Sequence, residues 1–133
     1  MIFMFQELNL NPSMKNIHDC VIRAIAFITK ETWEDIYLRL CMIGFDLRLM
    51  PDSDRTWQTY LISNGFIKYS VPNDCPDCIT IRDYVNVHDQ GDYILVAEGH
   101  MVAVSDGVYY DTFDTGDYIV NTIWMKGRYT DYE

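Results

Sequence analysis

The first half of the chain has apolar residues at helical spacing. Seven of the eight residues from Val21 to Ile28 are apolar, and Arg23 is the exception. A helix that is apolar on nearly all sides is buried in the core of its domain. The pattern therefore predicts a central helix that Asn16 or Asp19 caps and that runs to about Ile28.

Capping residues and glycine stops predict three further helices. A threonine followed three residues later by an aspartate is typical of a capping box, and this pattern occurs twice. The first of these helices begins at Thr32 and Asp35, runs through about Met42 and is ended by Gly44. The second runs from Asp54 to Ser63, with Asn64-Gly65 as its stop. The third begins at Thr80 and Asp83 and runs to about Val87.

Short runs with strand-like patterns follow the third predicted helix. They cover residues 65–69, 93–97, 101–105, 108–112 and 118–124. Helices that precede an antiparallel sheet indicate the α+β class. A length of 133 residues favours a single domain over residues 1–133.

One predicted hairpin places a histidine beside an aspartate. Asp106-Gly107, between two alternating runs, is a strong signal for a two-residue turn. In that register Val102 lies opposite Asp111. His100 lies opposite Phe113, which makes His100 and Asp111 diagonal neighbours on one face. An imidazole oriented by a carboxylate is one half of a nucleophilic triad.

Cys20 is the candidate for the other half. It lies at the start of the predicted central helix, where unpaired N–H groups and the helix dipole favour a thiolate and can also bind an oxyanion. The alternative interpretation is that Cys20 belongs to the core, because free cysteines are among the most buried residues.

These residues lie in segments that resemble a known family. The segments are DCVIRAIAFITKETWEDIY, TIRDYV and GDYILVAEGHMVAVSDGVYYDTFDTGDYIV, followed by Trp124. They resemble small proteins of bacteria and their phages that are similar to papain-like cysteine peptidases, including the bacteriocin-leader peptidases. The resemblance implies a papain-like fold in which Cys20 is the nucleophile, His100 the general base and later acid, and Asp111 the group that orients His100.

The chain departs from the papain-like pattern at one position. Papain-like enzymes commonly carry an oxyanion-hole glutamine a few residues before the nucleophile, and the corresponding residue here is Met14. We expect Asn16 to supply the amide instead, together with the backbone N–H of Cys20.

Charge and composition exclude several classes of partner. A net charge of −10 repels phosphate backbones and argues against nucleic-acid binding. No apolar run has the length of a membrane span, and the N-terminal segment lacks the basic flank of a secretion signal, so we expect a cytoplasmic protein without membrane contact.

The four cysteines are expected to be reduced thiols. Cys75 and Cys78 have the spacing of half a zinc site, but no second pair at metal spacing accompanies them. A loop with two thiols is the leading interpretation, and we expect neither a metal nor a cofactor. The residues do not predict an oligomeric state.

Two functions follow from these observations. The first is a thiol hydrolase or acyltransferase that acts on a peptide, isopeptide or related acyl bond. The alternative is a non-catalytic, phage-encoded binding protein that sequesters or blocks a host component. Tyrosines are frequent in the second half of the chain and include Tyr109, Tyr110, Tyr118, Tyr129 and Tyr132. We expect most of them to be half-buried strand residues, although an acidic rim rich in tyrosine, with Asp117, is also typical of a protein-binding face.

Overall fold

A computed structural model describes residues 4–127 of the chain. Over this range it contains four helices and one six-stranded sheet, which is an α+β arrangement. None of these helices is long and apolar enough to cross a membrane. In chain order the elements are β1 (Phe5–Glu7), α1 (Cys20–Thr29), α2 (Trp33–Leu47), α3 (Asp54–Ser63), β2 (Phe66–Ser70), α4 (Ile81–Val87), β3 (Asp92–Ala97), β4 (His100–Ser105), β5 (Val108–Asp111) and β6 (Val120–Lys126).

The sheet has the strand order β1-β5-β4-β3-β6-β2. All neighbouring pairs are antiparallel except β1 and β5, which run parallel. The expectation of a purely antiparallel sheet is therefore wrong at this edge. A strand of only three residues carries too little alternation to be recognised in the sequence.

Helices cover both faces of the sheet. On one face α1 packs against β4, with Ile25 in contact with a core that contains Met101 and Ala103. On the other face α4 contributes Ile81 and Tyr84 to a second core. The alternation of side chains along β4 divides its residues between the two cores, which fixes the side of the sheet on which each side chain lies.

Helix α2 continues past the residue predicted to end it. Gly44 lies inside the helix, which ends at Leu47 and is followed by Arg48 in a left-handed conformation. A Cβ at Gly44 would lie 2.6 Å from the carbonyl oxygen of Leu49. The glycine therefore permits the returning chain to approach the helix closely, and it does not stop the helix.

Two of the four cysteines are bonded to each other. Cys75 and Cys78 form a disulfide, with their Cα atoms 4.6 Å apart. The expectation of two reduced thiols is wrong here, because the loop brings the two residues within the range of a disulfide. Cys20 and Cys41 are free and half-buried.

Candidate active site

The hairpin of β4 and β5 positions the candidate base. Ser105 pairs with Val108, so Asp106-Gly107 forms the predicted two-residue turn. The His100 Nε2 atom lies 2.7 Å from the Asp111 Oδ2 atom. The diagonal contact predicted from the register is confirmed.

Helix α1 brings the candidate nucleophile to the same place. Cys20 is the first residue of α1, and the packing of α1 on β4 places it beside His100, so that both residues line the same surface clefts. Because Nε2 bonds to Asp111, the nitrogen available to Cys20 is Nδ1.

The pair is polarised toward thiolate and imidazolium. Burial raises the pKa of Cys20, but the hydrogen bond from His100, the N–H of Met101 and nearby positive charge outweigh burial and leave the pKa below its usual value. Burial lowers the pKa of His100, and the bonds to Asp111 and Cys20 overcome this and raise it to about 9. Both shifts favour the charged forms.

A buried arginine supports the aspartate. The Arg23 Nη1 atom lies 3.1 Å from the Asp111 Oδ1 atom, and the Arg23 Nε atom lies 2.7 Å from the Asp19 Oδ1 atom. Burial raises the pKa of Asp111, but the interactions with His100, with the N–H of Thr112 and with Arg23 bring it below its usual value. A row of alternating charge thus runs from Asp19 through Arg23, Asp111 and His100 to Cys20.

Further polar groups complete the network around this row. The Thr115 hydroxyl donates to Asp111, and the side chains of Asn11 and Trp33 donate to Asp19. Within residues 4–127 no buried side-chain polar atom lacks a partner. The sequence alone did not predict these supporting contacts, although the charged Arg23 in the apolar run of α1 was a signal for them.

Two clefts give access to the Cys20–His100 pair. The α3 cleft, of about 480 Å³, is lined by Asp52, Asp54 and Trp57 together with Val96 and Thr122. The Phe113 cleft, of about 350 Å³, is lined by Asn16, Ile17, Arg23, Thr112 and Phe113. Cys20, His100 and His18 line both clefts. The His100 side chain is 18% exposed, so a substrate can reach the pair.

The candidate oxyanion donor lies in one of these clefts. Asn16 is exposed and lines the Phe113 cleft with Cys20. Met14, at the position of the expected glutamine, is 69% exposed. The structure therefore brings Asn16 to the same cleft as the thiol.

The tyrosines of the acidic rim do not form one surface. Tyr109 is buried, and its hydroxyl donates to Asp114. Tyr109 is thus a strand residue of the core and not part of an exposed rim, because its side of β5 faces the core under α4. Tyr129 and Tyr132 lie outside the described residues.

We expect the rate of any reaction at Cys20 to fall at high pH. The raised pKa of His100 keeps the imidazolium charged at neutral pH, and the proton is lost as the pH rises through about 9. The lowered pKa of Cys20 moves the acid limb below the range of an ordinary thiol. A profile of kcat/KM against pH checks both limbs, and a single limb at the pKa of a free thiol would contradict the polarised pair.

Comparisons of the chain with models of protein families, with curated proteins and with solved structures found no significant match. The functional interpretation therefore depends on the geometry of the described residues.

Proposed function

We propose that this protein is a papain-like thiol hydrolase or acyltransferase that acts on a peptide, isopeptide or related acyl bond. The observation that carries the proposal is the placement of Cys20 beside His100 in the same clefts, with His100 bonded to Asp111 over 2.7 Å. A thiol outside a catalytic site needs neither a base nor a group that orients the base.

The proposed reaction has two steps. In the first, the Cys20 thiolate attacks the carbonyl carbon, a C–S bond forms, the C–N bond breaks, and His100 gives its proton to the leaving amine. In the second, His100 takes a proton from water, the hydroxide attacks the thioester, and the C–S bond breaks to release the acid and the thiolate. If an amine replaces water, the product is a new amide and the reaction is acyl transfer.

The architecture supports the papain-like assignment. A helix carries the nucleophile, a sheet carries the base, and the order along the chain is Cys20, His100, Asp111. The proposed partner is a peptide or protein, and the chemistry requires no cofactor. We also propose a cytoplasmic site of action, where the Cys20 thiol stays reduced; the Cys75–Cys78 disulfide is the observation against this placement, because disulfides are rare in that compartment.

The formation of an acyl-enzyme tests the proposal. With p-nitrophenyl acetate as the acyl donor, we expect intact-mass spectrometry to show one added acetyl group on Cys20. The Cys41→Ala variant should react normally, and the Cys20→Ala and His100→Ala variants should not acquire the group at a comparable rate. Acetylation that proceeds equally without His100 would contradict an activated thiol.

The Asn16→Ala variant tests the oxyanion site. If the amide of Asn16 donates to the developing oxyanion, kcat should fall by about a hundredfold with KM nearly unchanged, because the bond is made in the transition state. Steady-state kinetics with a cleavable substrate measure the two constants. An unchanged kcat would assign the oxyanion to backbone N–H groups alone.

A further inference from the structure

The α3 cleft and the Phe113 cleft lie on opposite sides of the strand that carries His100. In the sheet, β3 and β5 are the two neighbours of β4. The α3 cleft includes Val96 of β3 and Thr122 of β6. The Phe113 cleft includes Thr112 and Phe113, which directly follow β5. A chain that runs from one cleft to the other therefore crosses Cys20 and His100.

We infer that the substrate is an extended polypeptide segment that occupies both clefts, with a lysine or arginine side chain beside Asp52 and Asp54 in the α3 cleft. This inference rests on the proposed function and names its substrate class. The reaction is the hydrolysis described above, in which the internal C–N bond breaks and water supplies the hydroxyl and the proton of the two products.

The size of the clefts supports an internal cleavage site. Volumes of about 480 and 350 Å³ are in the range of ligand pockets, so each cleft can hold residues of a substrate. An enzyme for a terminal residue or a small amide needs a pocket on only one side of the reacting bond. Here both sides of the Cys20–His100 pair are open.

The charge of the α3 cleft supports a basic side chain. Asp52 and Asp54 are both exposed there, and the histidines are the only basic side chains among the described residues that line it. The buried indole of Trp57 donates to the Oδ1 atom of Asp54 over 3.2 Å, which holds the carboxylate at the cleft. The net charge of −10 also attracts cationic segments to the protein as a whole.

The Phe113 cleft has a different chemical character. Ile17 and Phe113 are 50% and 48% exposed, and both line this cleft. Exposed apolar side chains beside a nucleophile favour contact with an apolar residue of the substrate. The two clefts together therefore predict a basic residue on one side of the cleaved bond and an apolar residue on the other.

A peptide library tests this inference. The full chain is incubated with a randomised library of decapeptides with free ends, and mass spectrometry locates the cleaved bonds. We expect internal cleavage with lysine or arginine enriched at one fixed position relative to the bond. The Asp52→Asn/Asp54→Asn double variant should lose roughly tenfold or more in kcat/KM for such peptides, because a charge-assisted contact is removed.

The matched control is the Asp46→Asn/Asp77→Asn double variant. Both aspartates are exposed and lie outside the two clefts, so the control changes the net charge by the same amount. We expect its kcat/KM to stay within about twofold of the wild type. Thermal melting shows whether each variant is folded.

The outcomes separate the substrate inference from the proposed function. Cleavage that depends on Cys20 but removes only terminal residues, or that shows no basic preference, would overturn the inference and leave the hydrolase in place. An equal loss in both double variants would assign the effect to overall charge and would also overturn it. A folded protein that cleaves no peptide in a Cys20-dependent way would contradict both the inference and the peptidase form of the function.

Discussion

The Cys20→Ala and His100→Ala variants should lose nearly all turnover while remaining folded. In the proposed reaction the two side chains act as one unit, because the thiolate is the nucleophile and the imidazolium holds it charged and later supplies the proton. Removal of either member of such a unit costs about three orders of magnitude or more in kcat. Steady-state assays with a cleavable peptide measure the loss.

The Cys41→Ala variant is the matched control for the loss of a thiol. Cys41 is free and half-buried like Cys20, but it lines neither of the two clefts. Its turnover should equal that of the wild type. A melting curve of each variant separates loss of chemistry from loss of fold.

The alternative function predicts a different pattern for the same variants. A binding protein keeps its biological effect in the Cys20→Ala variant and loses part of it in Asp117→Lys, since reversal of a rim charge slows association. Asp117 is exposed and pairs with Arg82. A folded Cys20→Ala protein with full activity would therefore contradict the enzyme and favour the binding protein.

The Arg23→Met variant should be the most destabilised single variant of the site. Arg23 is buried between Asp19 and Asp111, and its loss leaves two buried carboxylates without their cation. Removing one partner of a buried ion pair costs about 3–5 kcal/mol of unfolding free energy. For a domain of this size the melting temperature should fall by roughly 10–20 °C.

Two further variants show whether the loss of stability in Arg23→Met comes from the buried charge. Arg39→Met removes an exposed ion pair with Glu31, which should lower the melting temperature far less than the loss of Arg23, because solvent screens the exposed pair. Arg23→Lys keeps the charge and should recover part of the stability, though one ammonium cannot reproduce both contacts of the guanidinium. If Arg23→Met and Arg39→Met melted at the same temperature, Arg23 would not be the support of the charged row.

The charged row from Asp19 to Cys20 also makes the free energy of unfolding depend on pH, in both the acidic and the alkaline range. The pKa of Asp111 is lowered in the folded protein. The stabilisation that its carboxylate gives is therefore present above the pKa of an unfolded aspartate, and it is lost as the pH falls through the pKa of Asp111 in the folded protein. The raised pKa of His100 acts in the opposite direction. Its contribution is complete below the unfolded pKa of about 6.5 and is lost as the pH rises through about 9.

Local signals in the sequence were sufficient for much of the fold. Thr80 and Asp83 form the complete capping box predicted for α4, and α3 spans the predicted residues Asp54–Ser63. The Asp106-Gly107 turn fixes the register that joins His100 to Asp111. These features depend on contacts between residues close in sequence, so the local sequence pattern is enough to predict them.

Features that depend on distant residues were not predictable. The pairing of β1 with β5 and the close approach of Leu49 to Gly44 arise from packing across the fold. The contact between Arg23 and Asp111 joins residues 88 positions apart. Arg23 stood out as a charge in an apolar run, but only the arrangement of α1 on β4 shows which carboxylate it supports.

The most direct test of the central claim is the rate at which iodoacetamide alkylates each free thiol at neutral pH. A thiolate held by His100 should make Cys20 react about tenfold faster than Cys41, and His100→Ala should remove most of this difference. Peptide mapping by mass spectrometry after short labelling times gives both rates in one sample. Equal rates at Cys20 and Cys41, or a Cys20 rate that is unchanged in His100→Ala, would contradict the account.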